Sequence, residues 1–269
     1  MRSGHTMTTL AAMVLCAATA AAADGVLVVQ KMTSASGAVS TNQVDIEKTR
    51  MRAEIAAANG RKQTMVFDGT AQVMRTIDDE AKTYTEMTRA DVEQLGGQVS
   101  GAKAQLEQQM KNMPPEARAR MEEMMKGRGM TMAGAAPIEY RKVGTDKVGK
   151  WTCDQYEGTR NGKKTSEVCT VATTVLGFAP ADFEVTRQMA EFFSKLLPQG
   201  AEQMFSVGSA TPNGLAGVPV RTVTFRDGAV QSTTEMVEVS RQNFPDSTFT
   251  VPAGYTKRDL MSGRGRGRR

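Results

Sequence analysis

Methionine is the side chain that this sequence concentrates most clearly in one place. The segment "MPPEARARMEEMMKGRGMTM", residues 113–132, holds six methionines in twenty residues. Thioether sulfur is a soft ligand that favours Cu(I). The same flexible side chain also suits apolar surfaces that accept ligands of different shapes, or fills gaps in a core. Three interpretations follow, namely a Cu(I) site at Met121, Met124 and Met125, a lid over an apolar cavity, and plain packing on a sheet.

Histidine is nearly absent, and this restricts the enzymatic chemistry that the chain can perform. The only histidine is His5, in the opening segment "MRSGHTMTTLAAMVLCAATAAAADG". A basic start, a short apolar run and small residues before Asp24 predict a signal peptide over residues 1–23, cleaved after Ala23. Its removal leaves no imidazole for a Ser-His-Asp relay or a zinc site. We therefore expect a periplasmic or secreted protein that is not an enzyme and needs no cofactor.

Two cysteines remain after the predicted cleavage, Cys153 and Cys169. An even number of cysteines in an oxidising compartment predicts a structural disulfide. A hairpin with a three-residue loop at residues 160–162 would place the two cysteines directly opposite each other. A two-residue Asn-Gly turn would shift the register by one and turn the cysteines to opposite faces. We therefore expect the three-residue loop.

The positive charge of the chain is concentrated at its end. The formal net charge is +5, and the tail "GRGRGRR", residues 263–269, supplies four arginines. The remainder has no basic field that would attract nucleic acid. The tail has no apolar side chain to bury, so we expect it to be disordered. It could make weak contact with an anionic membrane surface or simply aid solubility.

Short apolar segments separated by turn residues predict an antiparallel sheet. The predicted strands are residues 26–32, 51–57, 62–68, 71–77, 82–87, 138–143, 150–158 and 164–172, followed by a hairpin that turns at Asp227-Gly228.

A helical insertion is predicted over residues 88–136. Thr88 and Asp91 match a capping box, and apolar residues then recur every three or four positions. Pro114-Pro115 ends the first helix and begins a second, which forms a helical hairpin with it. A third helix over residues 181–197 has a wide apolar face.

The lid interpretation identifies a candidate ligand-binding site between the helical hairpin and the third helix. A mobile, methionine-rich hairpin over an apolar cavity would contact an acyl chain or another hydrophobic ligand. The candidate residues are Leu106, Met110, Met113, Met121, Met124 and Met125 on the hairpin, with Phe192 and Phe193 on the opposing wall.

Five segments together resemble a known family. They are "KTYTEM", "MPPEARARMEEMMKG", "GKWTCDQYEG", "GVPVRTVTF" and "FTVPAGYTKRDL". Their order resembles an exported bacterial family known as domain of unknown function 4412, whose plan is similar to LolA and LolB, the periplasmic lipoprotein carriers.

The resemblance implies a mainly β fold with helices (α+β). In it, a curved antiparallel sheet or incomplete β-barrel is covered by a helical hairpin and a third helix. It implies a single LolA-like domain over residues 24–262 that carries a hydrophobic ligand, such as an acyl chain, a lipid or a lipoprotein. The alternatives are a Cu(I)-binding protein and a structural envelope protein without a ligand.

Overall fold

The computed structural model describes residues 23–56, 62–127, 130–131, 134–135, 137–196, 211 and 213–260, with residues 56, 125–127, 130–131 and 134–135 described by their backbone alone. The tail over residues 263–269 and all but the last residue of the predicted signal peptide lie outside the described residues. No helix within the described ranges is both long enough and apolar enough to cross a bilayer.

The fold is mainly β, and twelve strands form one sheet. Its strands are β1 (Gly25–Ser34), β2 (Val39–Ile46), β3 (Arg50–Ala56), β4 (Lys62–Asp68), β5 (Val73–Asp78), β6 (Thr83–Thr88), β9 (Glu139–Val148), β10 (Trp151–Arg160), β11 (Lys163–Val171), β12 (Val218–Arg226), β13 (Ala229–Gln242) and β14 (Thr256–Arg258). Two short strands, β7 (Met130–Thr131) and β8 (Gly134–Ala135), pair separately with each other.

The strand order shows an open sheet and not a closed barrel. The order is β14-β6-β5-β4-β3-β2-β1-β13-β12-β11-β10-β9, so β14 and β9 are the two edges of the described sheet. Neighbouring strands are antiparallel except β14, which pairs in parallel with β6. Several ladders contain register shifts, including Val29/Gln30 in β1 and Gln155/Tyr156 in β10. Such bulges increase the local twist and bend of a strand.

One face of the sheet, here called the inner face, carries the main core. Side chains alternate along a strand, so β4 places Met65 and Phe67 on the inner face and Val66 on the other. Helix α3 (Glu184–Phe193) covers this face, and its Phe192 ring lies 5.4 Å from the ring of Phe67, centroid to centroid. Such an aromatic pair contributes about 0.5–1.5 kcal/mol beyond its buried area. The main core therefore lies between α3 and the sheet.

On the opposite, outer face, strands β3 to β6 are covered by residues 243–258, which we call the C-terminal strap. The strap leaves β13 and reaches β6, where its last residues form the edge strand β14. Phe249, in the 3-10 helix Asp246–Phe249, packs on Val66 and Ile77 in a second core cluster. Arg50 makes two contacts with the strap. Its Nη1 atom lies 2.8 Å from Asp246 Oδ1, and its Cζ atom lies 4.7 Å from the centroid of the Phe249 ring.

Helices α1 (Arg89–Lys111) and α2 (Pro115–Gly127) connect β6, which lies beside the edge strand β14, to β9 at the opposite edge of the sheet, by way of β7 and β8. We call these two helices the helical arm.

The capping box is confirmed, because Thr88 Oγ1 accepts from the Asp91 N–H and the Asp91 carboxylate accepts from the Thr88 N–H. Near its start, α1 buries Val92 and packs Gly96 closely against Lys195. Of residues 97–109, all but the half-buried Glu107 are exposed, so the middle of α1 does not pack on the sheet.

The disulfide between Cys153 and Cys169 is confirmed, with a Cα–Cα distance of 5.5 Å. The predicted hairpin register is wrong. The turn is the two-residue Asn161-Gly162, both with positive φ, and Arg160 pairs with Lys163.

A bulge between Gly158 and Thr159 adds a second register shift, so Cys169 faces Gln155. Two shifts of one residue return Cys153 and Cys169 to the same face, where they bond diagonally across the ladder.

Candidate functional site

The predicted methionine site lies on the helical arm, and its residues differ in exposure. Met110 is buried, with 4% of its surface exposed, whereas Leu106 is 40% and Met124 is 53% exposed. Met113 and Met121 are half-buried. The side chain of Met125 lies outside the described residues. The arm therefore combines one buried methionine with apolar side chains in contact with water.

The turn between the two helices of the arm is fixed by Arg118. Its Nε and Nη2 groups donate to the carbonyl oxygens of Met110 and Lys111, both at 3.0 Å. The last carbonyls of a helix have no partner within the helix, so this guanidinium from α2 caps α1. The contact fixes the turn that follows Met110 and contains Met113.

The aromatic residues predicted for the opposing wall belong to the main core. Phe192 is 1% exposed, and its ring lies 4.9 Å from that of Phe193, centroid to centroid and edge to face. The core cluster around Phe192 includes Phe193 but none of the candidate residues of the arm. The structure thus places the predicted site residues in two separate groups, one on the arm and one on α3.

Copper ligation would use the thioethers of the arm. Met121 and Met124 are three residues apart on α2, which places them on neighbouring positions of one helix face. Among the described residues, no three His, Cys, Asp or Glu side chains are grouped as metal ligands. The Cu(I) hypothesis for Met121, Met124 and Met125 stays a prediction.

A polar pocket on the outer face was not predicted from the sequence. It has a volume of about 240 Å³ and lies between strands β3 to β5 and the C-terminal strap. Its lining residues are Arg52, Thr64, Ile77, Asp79, Ser247, Thr248, Thr250 and Pro252. The alternation of side chains along the predicted strands could have placed Arg52 and Thr64 on one face of the sheet. Nothing in the sequence near these residues indicates that the C-terminal strap covers them.

Charged side chains around this pocket are paired. Arg52 Nη2 lies 2.5 Å from Glu54 Oε1, and its Nη1 lies 3.6 Å from Asp45 Oδ2. The hydroxyl of Tyr255 donates to Asp79 at 2.8 Å, and this hydrogen bond raises the pKa of Tyr255.

At the nearby sheet edge, the hydrogen bond from Lys257 lowers the pKa of Glu86, and Arg75 acts in the same direction. These bonds join the end of the strap to the sheet next to the pocket.

Comparison with solved structures gives matches of low identity. A conserved protein from Thermus thermophilus matches with a TM-score of 0.45 at 8% identity, over 88% of this chain and 91% of that chain. The Pseudomonas aeruginosa MucA/MucB complex matches with a TM-score of 0.36 at 10% identity, over 85% of this chain and 56% of that chain. A LolA superfamily protein from Nitrosomonas europaea matches with a TM-score of 0.26 at 8% identity, over 85% of this chain and 90% of that chain.

Comparison at the sequence level gives one family. No curated protein matches the sequence. The family model Domain of unknown function (DUF4412) matches residues 136–255, which contain "GKWTCDQYEG" and "GVPVRTVTF". The resemblance of the sequence to the family Domain of unknown function (DUF4412) is therefore confirmed over residues 136–255.

Proposed function

We propose that this protein is an exported, non-enzymatic binding protein or carrier for a hydrophobic ligand, such as an acyl chain, a lipid or a lipoprotein. The observation that carries the proposal is the exposure of apolar side chains along the helical arm. Val99, Leu106 and Met124 are 57%, 40% and 53% exposed, respectively. Val99 and Leu106 are seven positions apart on α1, so they share one face of that helix. An apolar helix face in contact with water is typical of binding sites for ligands, membranes or proteins.

The packing of the main core favours the arm over the inner face as the contact surface. Phe192 fills the space between α3 and β4 and contacts Phe67. An acyl chain between α3 and the sheet would have to displace this buried ring, and losing the packing of a buried phenylalanine costs about 3–5 kcal/mol. Burying the exposed side chains of the arm carries no such cost. The ligand therefore lies against Leu106 and the methionines of the arm that reach its surface, Met113, Met121 and Met124, and Phe192 and Phe193 support the core.

The experiment that tests this proposal measures binding of a fluorescent fatty acid to the folded protein. The variant V99Q/L106Q/M124Q keeps good helix formers in the arm and removes its exposed apolar surface. The exposed parts of Val99, Leu106 and Met124 add up to the surface of about one and a half side chains. Complete burial of one such side chain contributes roughly 2 kcal/mol. We expect the variant to bind roughly 100-fold more weakly, since about 3 kcal/mol is lost.

The matched control is V143Q/V175Q/V237Q, which removes three valines of similar exposure from outside the arm. The control should bind the fatty acid like the unchanged protein. Equal loss of affinity in both variants, or no binding by the unchanged protein, would refute the assignment to the arm.

Copper and lipid binding are distinguished by exchanging sulfur for carbon. The variant M121L/M124L/M125L retains apolar area, so fatty acid binding should largely survive. Stoichiometric Cu(I) binding by the unchanged protein that is lost in this variant would favour the metal instead.

Contact of the tail, residues 263–269, with anionic vesicles is a separate proposal. It is tested by removing those residues and measuring vesicle binding at low and high salt.

A further inference from the structure

The polar pocket under the C-terminal strap has a lining that differs from every other surface discussed above. Four of its residues carry hydroxyl groups, namely Thr64, Ser247, Thr248 and Thr250. A hydroxyl both donates and accepts hydrogen bonds. Arg52 adds N–H donors, Asp79 adds an acceptor, and Ile77 with Pro252 adds a small apolar surface. This composition can bond a ligand that itself alternates donors, acceptors and C–H groups.

The charge of the site excludes a strongly anionic ligand. The guanidinium of Arg52 is already neutralised by Glu54 and by Asp45, which is 2% exposed and also accepts from the side-chain amide of Gln43. Asp79 adds a further carboxylate on the pocket wall. Arg52 therefore offers directed N–H groups, but the surroundings carry no excess of positive charge. An anionic ligand would meet the carboxylate of Asp79 and an arginine whose charge Glu54 and Asp45 already balance, which is unfavourable.

A cationic ligand fits the donors of the pocket poorly. An ammonium group has no lone pair, so it cannot accept a hydrogen bond from Arg52 or from the hydroxyl groups. It would therefore gain no hydrogen bond from the remaining N–H groups of Arg52. A neutral hydroxyl can accept from Arg52 and donate to Asp79. The chemistry of the lining thus favours a neutral ligand with several hydroxyl groups.

The size and support of the pocket agree with a small ligand. Its volume of about 240 Å³ lies below the range of about 300–1,000 Å³ that is typical for drug-sized molecules. Thr64 and Ile77 are buried on adjacent, hydrogen-bonded strands. Phe249 and the Arg50–Asp246 pair hold the strap side of the pocket. Such supported walls lower the ordering cost of binding.

We propose that this pocket binds a small, neutral, polyhydroxylated molecule of the size of a monosaccharide. Hydroxyls of the ligand bond to Arg52, Asp79 and Thr64, and its C–H face packs on Ile77 and Pro252. The site lies on the outer face of the sheet and is independent of the helical arm. It therefore stands whether or not the arm binds a hydrophobic ligand.

The test is a titration of the isotope-labelled protein, followed by the shifts of its amide NMR signals. The probes are glucose and glycerol as neutral polyols, glutamate as an anion and putrescine as a cation. We expect glucose to give saturable shifts at Thr64, Thr248 and Thr250, while glutamate and putrescine give none there. No saturable shift with either polyol, or saturation of these signals by a charged probe, would overturn the proposal.

The variant T64V removes one hydroxyl with little change of shape, and T76V is its matched control. Thr76 lies on β5 beside Ile77 and points to the inner face, since side chains alternate along a strand. T64V should weaken glucose binding roughly fivefold, as expected for one neutral hydrogen bond, whereas T76V should bind normally. Signals far from the pocket report whether each variant is folded. Equal affinities in the folded variants would contradict the assigned role of Thr64.

Discussion

The disulfide between β10 and β11 makes a quantitative prediction about stability. Cys153 and Cys169 are separated by 16 positions, and both are buried in the main core. In the chain-entropy model, closing a loop of this size stabilises the folded state by about 3 kcal/mol. Reduction of the disulfide should therefore lower the free energy of unfolding by about 3 kcal/mol. For a domain of this size, the corresponding fall in Tm is roughly 6–12 °C.

Urea unfolding measures this loss directly. Trp151 is the only tryptophan, is buried and lies two positions from Cys153, so its fluorescence follows this part of the core. The reduced protein should unfold at lower urea. Its m-value should also rise, because an unfolded chain without the cross-link exposes more surface.

The variant C153A/C169A supplies the control for reduction. It lacks the cross-link and also the two buried sulfur atoms, so it should be less stable than the reduced protein by roughly 1–2 kcal/mol. Addition of reductant to this variant should cause no further change. If reduction of the unchanged protein altered its unfolding free energy by less than about 0.5 kcal/mol, the loop-closure argument would be wrong.

Two further predictions concern the C-terminal strap. Because the hydrogen bond from Lys257 lowers the pKa of Glu86 in the folded state, its ionised form stabilises the fold above the unfolded value of about 4.5. This contribution is lost as the pH falls through the lower, folded pKa, so the stability difference between the unchanged protein and E86Q should shrink between pH 6 and pH 3 in urea titrations. A difference that stays constant over this range would contradict the assigned pairing. Phe249 is 3% exposed, so F249A should lower the free energy of unfolding by about 3–5 kcal/mol. F244A should cost less because Phe244 is only half-buried, and an equal loss in urea unfolding would argue against Phe249 as the main anchor of the strap.

Local signals in the sequence predicted local features of the fold. The capping box at Thr88 and Asp91 depends on residues three positions apart, and the structure has it as predicted. Most of the strands also follow their alternating patterns. Strand β2, "VSTNQVDI", was missed because its polar residues give little apolar alternation, although it pairs along much of β1.

Features that depend on distant pairing were not predicted. Nothing in the sequence around Thr256–Arg258 indicates a parallel partner in β6, since that contact joins segments far apart in the chain. The polar pocket was missed for the same reason. The cysteine pairing was predicted correctly with the wrong register, because the bulge at Gly158/Thr159 compensates for the two-residue turn.

The periodic apolar pattern of α1 predicted a helix but not its surroundings. A stripe with a period near 3.6 residues shows which side chains share a helix face. It does not show whether that face meets a sheet, another molecule or water. Val92 and Met110 on this stripe are buried, whereas Val99 and Leu106 are exposed. The sequence therefore located the candidate residues of the arm without determining their partners.

The order of the strands also determines how the chain must fold. Strands β1 to β6 and β9 to β13 are two meanders of neighbours in sequence, but the ladder that joins them, between β1 and β13, pairs Gly25 with Gln242. Contacts across such a long stretch of chain are slow to form, because loop closure comes before any stabilising contact. Until β1 and β13 pair, each meander exposes an open edge strand to other chains, which favours aggregation. A nascent or truncated polypeptide that ends before β13 would therefore depend on chaperones to remain unaggregated.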